Sequence, residues 1–193
     1  MVLHFPSFRS ATKFTVRCSF RREVRLKSLT YPPDDGVAMA KFVDHPISKD
    51  IDQLARSSEH RILAAWAADC AERVLPLFEK EFPTDDRPRS AMLKLREWES
   101  TGVFRMADVR GASLNAHAAA CVAPEGSAAR SAARACGQAM ATAHVPTHSI
   151  AAAWYAAKAV WASEPSEVDA VAREREWQYE RLGGYTDRLI DML

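Results

Sequence analysis

The sequence holds only 7 glycines in 193 residues, and its four cysteines form no C-x-x-C pair. Cys18, Cys70, Cys121 and Cys136 lie far apart, and three of them sit in apolar helical contexts. That spacing argues against a secreted disulfide framework and for reduced thiols that act as small core residues. No apolar run approaches the roughly 20 residues that a membrane-spanning helix needs. The N-terminus lacks the short apolar core of a secretory signal. A cytoplasmic location, with no membrane partner, is therefore expected. There is also no Walker A loop, no G-x-G-x-x-G and no G-x-S-x-G, so no motif dictates a reaction.

What the chain has in excess is alanine. Between Ala107 and Ala162 it fills roughly two positions in five, well above average usage. Alanine loses no side-chain entropy on entering a helix, and its small side chain lets helices approach closely. A set of tightly packed helices is expected there, and no strand signal appears after Met39.

Charge is unevenly distributed. Residues 1–30 carry Arg9, Lys13, Arg17, Arg21, Arg22, Arg25 and Lys27 against Glu23 alone. From Met39 onward there are 19 basic and 22 acidic side chains, a net of −3. A mildly acidic domain does not suit nucleic acid, which is usually met by a basic surface. Residues 1–38 form a basic leader, rich in Ser and Thr, that is expected to be disordered or a mis-assigned start. A transit peptide and a hairpin over Lys13–Phe20 are alternatives. The break at Tyr31-Pro32-Pro33-Asp34-Asp35-Gly36 just before Met39 favours the mis-assigned start.

Residues 39–193 predict an all-α fold, a single compact alanine-rich bundle of about six to eight helices. A short helix is expected near Ser48–Arg56 with Ser48 as N-cap. The next carries apolar residues at three- and four-residue spacing from Ile62 to Phe78, with Pro76 expected to kink or locally open it and Pro83 to close it. A third spans Pro88–Glu99, with Asp86 near the N-cap, Pro88 at N1 and Gly102 ending it. The fourth covers Met106–Ala123, the fifth Ser127–His144, and the sixth follows the break at Pro146 and reaches Ala162. A seventh is expected to open on Ser166, with Asp169 at the capping-box position, and to stop at Gly183-Gly184. A last short helix is expected from Thr186.

Three clusters are candidates for chemistry. His117, His144 and His148 fall in the alanine-rich helices. His144 shares a face with Gly137, Ala141 and Ala133, a stripe small enough to imply a close neighbouring helix. The i, i+4 spacing of His144 and His148 is used by metal-binding helices, but Pro146 lies between them and no adjacent glutamate completes a zinc-protease motif. No metal is expected, and interior histidines bonded to backbone or to Tyr155 are the plainer reading. Asp86, Arg87 and Arg89 stand at a helix start. There the acid complements the helix dipole, while the arginines require partners, either Asp69 or Glu72 or an anionic ligand. The alternating run Arg173–Arg181 predicts a solvated face anchored by Trp177.

The runs Ala65–Leu75, Pro83–Arg89, Ala116–Ala120 and Ala141–Val145, with His148, Tyr155, Lys158 and Glu176-Trp177-Gln178 after them, resemble the bacterial putative immunity protein family of the fifth-immunity-protein-like kind. The resemblance covers about residues 57–182. The elements D-x-R-P-R and A-T-A-H-V carry its specificity. Two positions depart from the family pattern: Glu99–Gly102 replaces a basic turn, and Gln138 stands in the place of a histidine. The resemblance implies a helical protein that binds and neutralises a cognate bacterial toxin, without catalysis and without a cofactor. A second reading is a small-molecule- or metal-binding protein or enzyme using Asp86, Arg87, Arg89, His117, His144 and His148. A third is a helical scaffold with no specific partner.

Overall fold

The computed structural model describes residues 41–190. The leader at 1–38, the alternative start at Met39 and Cys18 lie outside them. Seven helices follow in order: α1 Ser48–Ser57, α2 His60–Glu81, α3 Arg87–Thr101, α4 Met106–Ala120, α5 Ala128–Thr142, α6 His148–Ser163 and α7 Ala170–Ile190. There is no strand among the described residues. This is the all-α bundle that the sequence predicts.

The alanine-rich α5 sits at the centre, packed by α2, α3, α4 and α6. It buries eleven of its fifteen residues, which only small side chains permit at such close helix spacing. Buried methyl-sized groups contribute only about 0.8 kcal/mol each. The larger apolar contribution therefore comes from Trp66, Leu75, Phe78, Met92, Leu95, Met140 and Leu182, all wholly or nearly wholly buried. Cys70 and Cys136 are free and buried among them, as expected of small core residues. Cys121 follows α4 as its C-cap and is half-buried rather than part of the core.

Helix ends follow local chemistry in part. Ser127 caps α5 by accepting from the Arg130 amide at 3.1 Å, and Gly102 ends α3 in the left-handed region at φ 70°, where a side chain would be strained. Ser48 does not cap α1; it is the first helical residue after Ile47. Pro88 is the second residue of α3 rather than the first. Pro76 does not end α2, because it lies on the solvent side, where one lost amide bond is tolerated. Ser166 falls in a turn, and α7 starts four residues later. Gly183 and Gly184 do not stop α7, which also absorbs the helix expected from Thr186. Leu182 is wholly buried and the Tyr185 hydroxyl bonds to Asp69 at 2.7 Å, so packing on α2 carries the helix past both glycines.

Asp69 joins three helices. It accepts from Arg96 of α3 at 2.6 Å, from Arg181 of α7 at 2.6 Å and from Tyr185. Burial pushes its carboxyl up, but the bonds from Arg181, Arg96 and Tyr185 together outweigh that and hold it below the usual carboxylate value. A lowered carboxyl pKa adds stability that is present above the unfolded value and lost as pH falls through the folded one. Asp69→Asn is therefore expected to flatten the acid limb of a pH–stability curve below about pH 4. An unchanged limb in denaturant melts across that range would contradict this.

Candidate functional site

Asp86, Arg87 and Arg89 gather at the start of α3. Arg87 grips Asp85 through two guanidinium contacts, with Nε donating at 2.7 Å. Arg89 makes the same two-pronged pair with Glu79 of α2, with Nη2 at 2.7 Å. Both arginines thus find carboxylates, as the ion-pair reading requires, but not Asp69 or Glu72, which are held by Arg96. Asp86 occupies the N-cap position without capping, and the Ser90 hydroxyl donates to it at 3.5 Å.

Asp86 and Arg87 open onto a groove between α3 and α4. One end holds about 280 Å³ and is lined by Asp86, Arg87, Ser90, Asp108, Gly111 and Asn115. The other holds about 200 Å³ and is lined by Glu97, Trp98, Val103, Arg105 and Val109. Lys94 and Asp108 line both, so the two ends share a wall. Among the described residues, ten large apolar side chains are exposed, and five of them are on α3, α4 or the turn that joins them: Leu93, Val103, Phe104, Met106 and Leu114. Sequence patterning hid this exposure, because isolated apolar residues on mostly polar helices give no signal of which are left uncovered.

The three histidines lie on a different part of the molecule. Only residues 130, 134 and 138 of α5 form its partly exposed row between Ala128 and the end of the helix. His117 approaches that row from α4 and His148 from α6. The His117 ring lies flat against Gly137: a Cβ there would stand 2.7–2.9 Å from three ring atoms. Ser113, one turn before His117, donates to the Gly137 carbonyl at 2.9 Å. This is the close helix approach that the small-residue stripe predicts. His148 Nδ1 lies 2.7 Å from Gln138 Oε1, an arrangement in which the ring nitrogen donates to the amide oxygen. His144 falls in the turn beyond α5 rather than inside the helix, and its ring centroid is 5.4 Å from that of His148. No histidine of the three bonds to Tyr155.

His117 Nδ1 is buried and has no hydrogen-bond partner. Burial, then the charges of Arg134 and His148, pull the His117 imidazole down to about 4. Burial and the neighbouring His144 push His148 down as well. Among the described residues no group of three or more His, Cys, Asp or Glu side chains is placed to hold a metal ion.

Gly137→Ala tests the contact directly. Alanine in mid-helix gains roughly 0.5–1 kcal/mol over glycine, whereas crowding a packed contact costs about 1–3 kcal/mol. The single variant is expected to lose stability, and His117→Ala in the same chain to restore it. Additive effects in chemical denaturation would contradict the contact.

The histidines and the Asp86 group share no hydrogen bond or ion pair. They are two surfaces, and α4 serves both, placing Asn115 in the groove and His117 on α5. Arg134, Ser113 and Gln138 complete the histidine surface, and sequence reasoning had attached no role to the first two. The alternating run on α7 is solvated on one side only, at Arg173, Glu176, Tyr179, Glu180 and Arg181. Glu174, Arg175 and Gln178 are all buried, because Asp44 and Arg73 supply partners from elsewhere in the chain.

A family model described as Imm-5 like putative immunity protein matches residues 53–185. The chain belongs to that family. The match runs from within α1 into α7 and takes in both candidate surfaces. No curated protein and no solved structure matches the chain. As a member of the Imm-5 like family, the chain has an all-helical fold consistent with the implied architecture. No described helix is long and apolar enough to cross a membrane.

Proposed function

We propose that this protein is an immunity protein that binds and neutralises a bacterial toxin in the cytoplasm, without catalysis. Family membership over residues 53–185 is the observation that carries the reading. The α3–α4 groove supplies a surface suited to it. Specific interfaces place an apolar core inside a polar rim. Val103 lines a groove walled by Lys94, Asp108 and Asp86, and Leu93, Phe104, Met106 and Leu114 are exposed on the helices and turn that form it. A binding protein of this kind occludes its target through matched shape and charge.

The reading is tested by purifying the tagged full chain from its native lysate and co-expressing any stoichiometric partner in a toxin-sensitive host. Growth rescue by the wild-type chain is expected. Phe104→Asp, on an exposed side chain, is expected to weaken the complex by about 100-fold or more, as central apolar anchors do, while leaving Tm unchanged. A partner whose toxicity the chain does not relieve would sink the proposal.

A further inference from the structure

From Val109 to Ser163 the chain has one acid, Glu125, against Arg110, Arg130, Arg134 and Lys158 and three histidines. The domain as a whole is mildly acidic, so α4, α5 and α6 hold an excess of positive charge, with Asp108 at the start of α4 the one further acid. In their midst, Arg134 stands in the partly exposed row of α5, between His117 on one flank and His148 on the other. Among the described residues, no carboxylate forms an ion pair with Arg134, His117, His144 or His148. The Arg96, Arg175 and Arg181 guanidiniums, by contrast, each meet at least one carboxylate within 2.6–2.9 Å. The cations of this face therefore lack the counter-charge that the others have.

We propose that the face formed by Arg134, His117 and His148 binds a phosphate group, as the free ion or on a small molecule. A guanidinium offers a planar fork of donors that matches a phosphate edge. Gln138 fixes His148 with Nδ1 inward, so Nε2 is the nitrogen left for a ligand. The buried, unpartnered His117 Nδ1 marks a ring whose hydrogen bonding is incomplete in the unliganded chain. Arg134 and His148 both disfavour the charged form of His117, so a bound dianion offsets that penalty. His144, whose ring centroid is 5.4 Å from that of His148, is the titratable group in contact with this centre from the α5–α6 turn. Arg130, one turn before Arg134 on α5, donates to the Ala123 carbonyl, and Lys158 on α6 lies over the Trp154 ring. Binding is accompanied by proton uptake on the histidines, and affinity falls as pH rises above their bound-state values.

This site is separate from the α3–α4 groove and does not depend on the toxin-neutralising reading. The test uses the full chain with specifically labelled histidines, titrated at pH 6 with inorganic phosphate, with phenyl phosphate, and with chloride at matched ionic strength. Saturable shifts of the His117 and His148 ring signals are expected with phosphate, at a Kd on the order of 1 mM or tighter. Tighter binding of phenyl phosphate identifies a phosphorylated small molecule as the ligand class, and equal binding identifies the free ion. Arg134→Gln, at a partly exposed position with no ion pair, is expected to weaken binding about tenfold, the loss of one charged hydrogen bond. His148→Gln is expected to do the same, and Arg56→Gln on α1 to change nothing. Non-saturating shifts, equal shifts with chloride, or wild-type affinity in both Arg134→Gln and His148→Gln would overturn the proposal.

Discussion

Gln178→Leu is expected to remove about 3–5 kcal/mol of folding stability. Leucine is close in size, so the loss comes from polar groups left unpaired rather than from a cavity. Gln178 is wholly buried. Its amide nitrogen donates to the Ala153 carbonyl at 3.1 Å and to Glu174 at 2.8 Å, and its amide oxygen accepts from Arg175 at 2.9 Å. Arg175 in turn grips Asp44 with contacts of 2.8 and 2.6 Å, and Glu174 accepts from Arg73 at 2.7 Å. Burial raises the Glu174 carboxyl, and only the bonds from Arg73 and Gln178 and the nearby arginines counter it. Removing the amide strands a buried carboxylate edge and a buried guanidinium nitrogen at once, and takes from the Ala153 carbonyl its bond beyond the helix ladder. Urea unfolding measures the loss. A change below about 1 kcal/mol would mean that water or movement replaces the amide, contrary to this account.

The second large effect is expected at Trp66. Trp66→Ala should cost about 3–5 kcal/mol, toward the upper end of that range. The penalty of a large-to-small change depends on how far the surroundings collapse into the space left. Here the helices packed on α2 bring alanine to the core: Ala132, Ala135 and Ala139 from α5, and Ala152, Ala153 and Ala156 from α6, all fully buried. Methyl groups have no rotamers with which to fill a void. Trp66 also donates its indole N–H to the Gln178 carbonyl at 2.8 Å, a second bond to that carbonyl which the variant loses. Trp66→Phe should lose less, because it keeps most of the volume. Equal losses for the two variants in thermal and urea melts would contradict the cavity argument. The effects of Trp66→Ala and Gln178→Leu should not add, since the residues share one network.

The same alanine content explains what could be read without a structure. Periodic apolar positions and an excess of strong helix formers made the all-α bundle legible, and Ser127 and Gly102 marked two of its helix ends. The stripe of Ala133, Gly137 and Ala141 announced a close neighbour, and His117 is that neighbour. Gly183-Gly184 misled because tertiary packing through Leu182 and Tyr185 outweighs the roughly 1 kcal/mol per glycine that local propensity charges against a helix. The charged run of α7 misled for a different reason. Arg175 and Glu174 are buried by partners 131 and 101 residues away, and no local pattern reports such distances. The split of the six candidate residues into two surfaces was hidden likewise, since spacing along a helix says nothing of which neighbour each face meets.

The central claim is that this member of the Imm-5 like family works by binding a toxin. Native mass spectrometry of the tagged full chain, purified from its own lysate, tests it most directly. The account predicts a stoichiometric complex with a protein whose toxicity the chain abolishes on co-expression. A chain that emerges alone, or with a partner whose toxicity is unaffected, would contradict it.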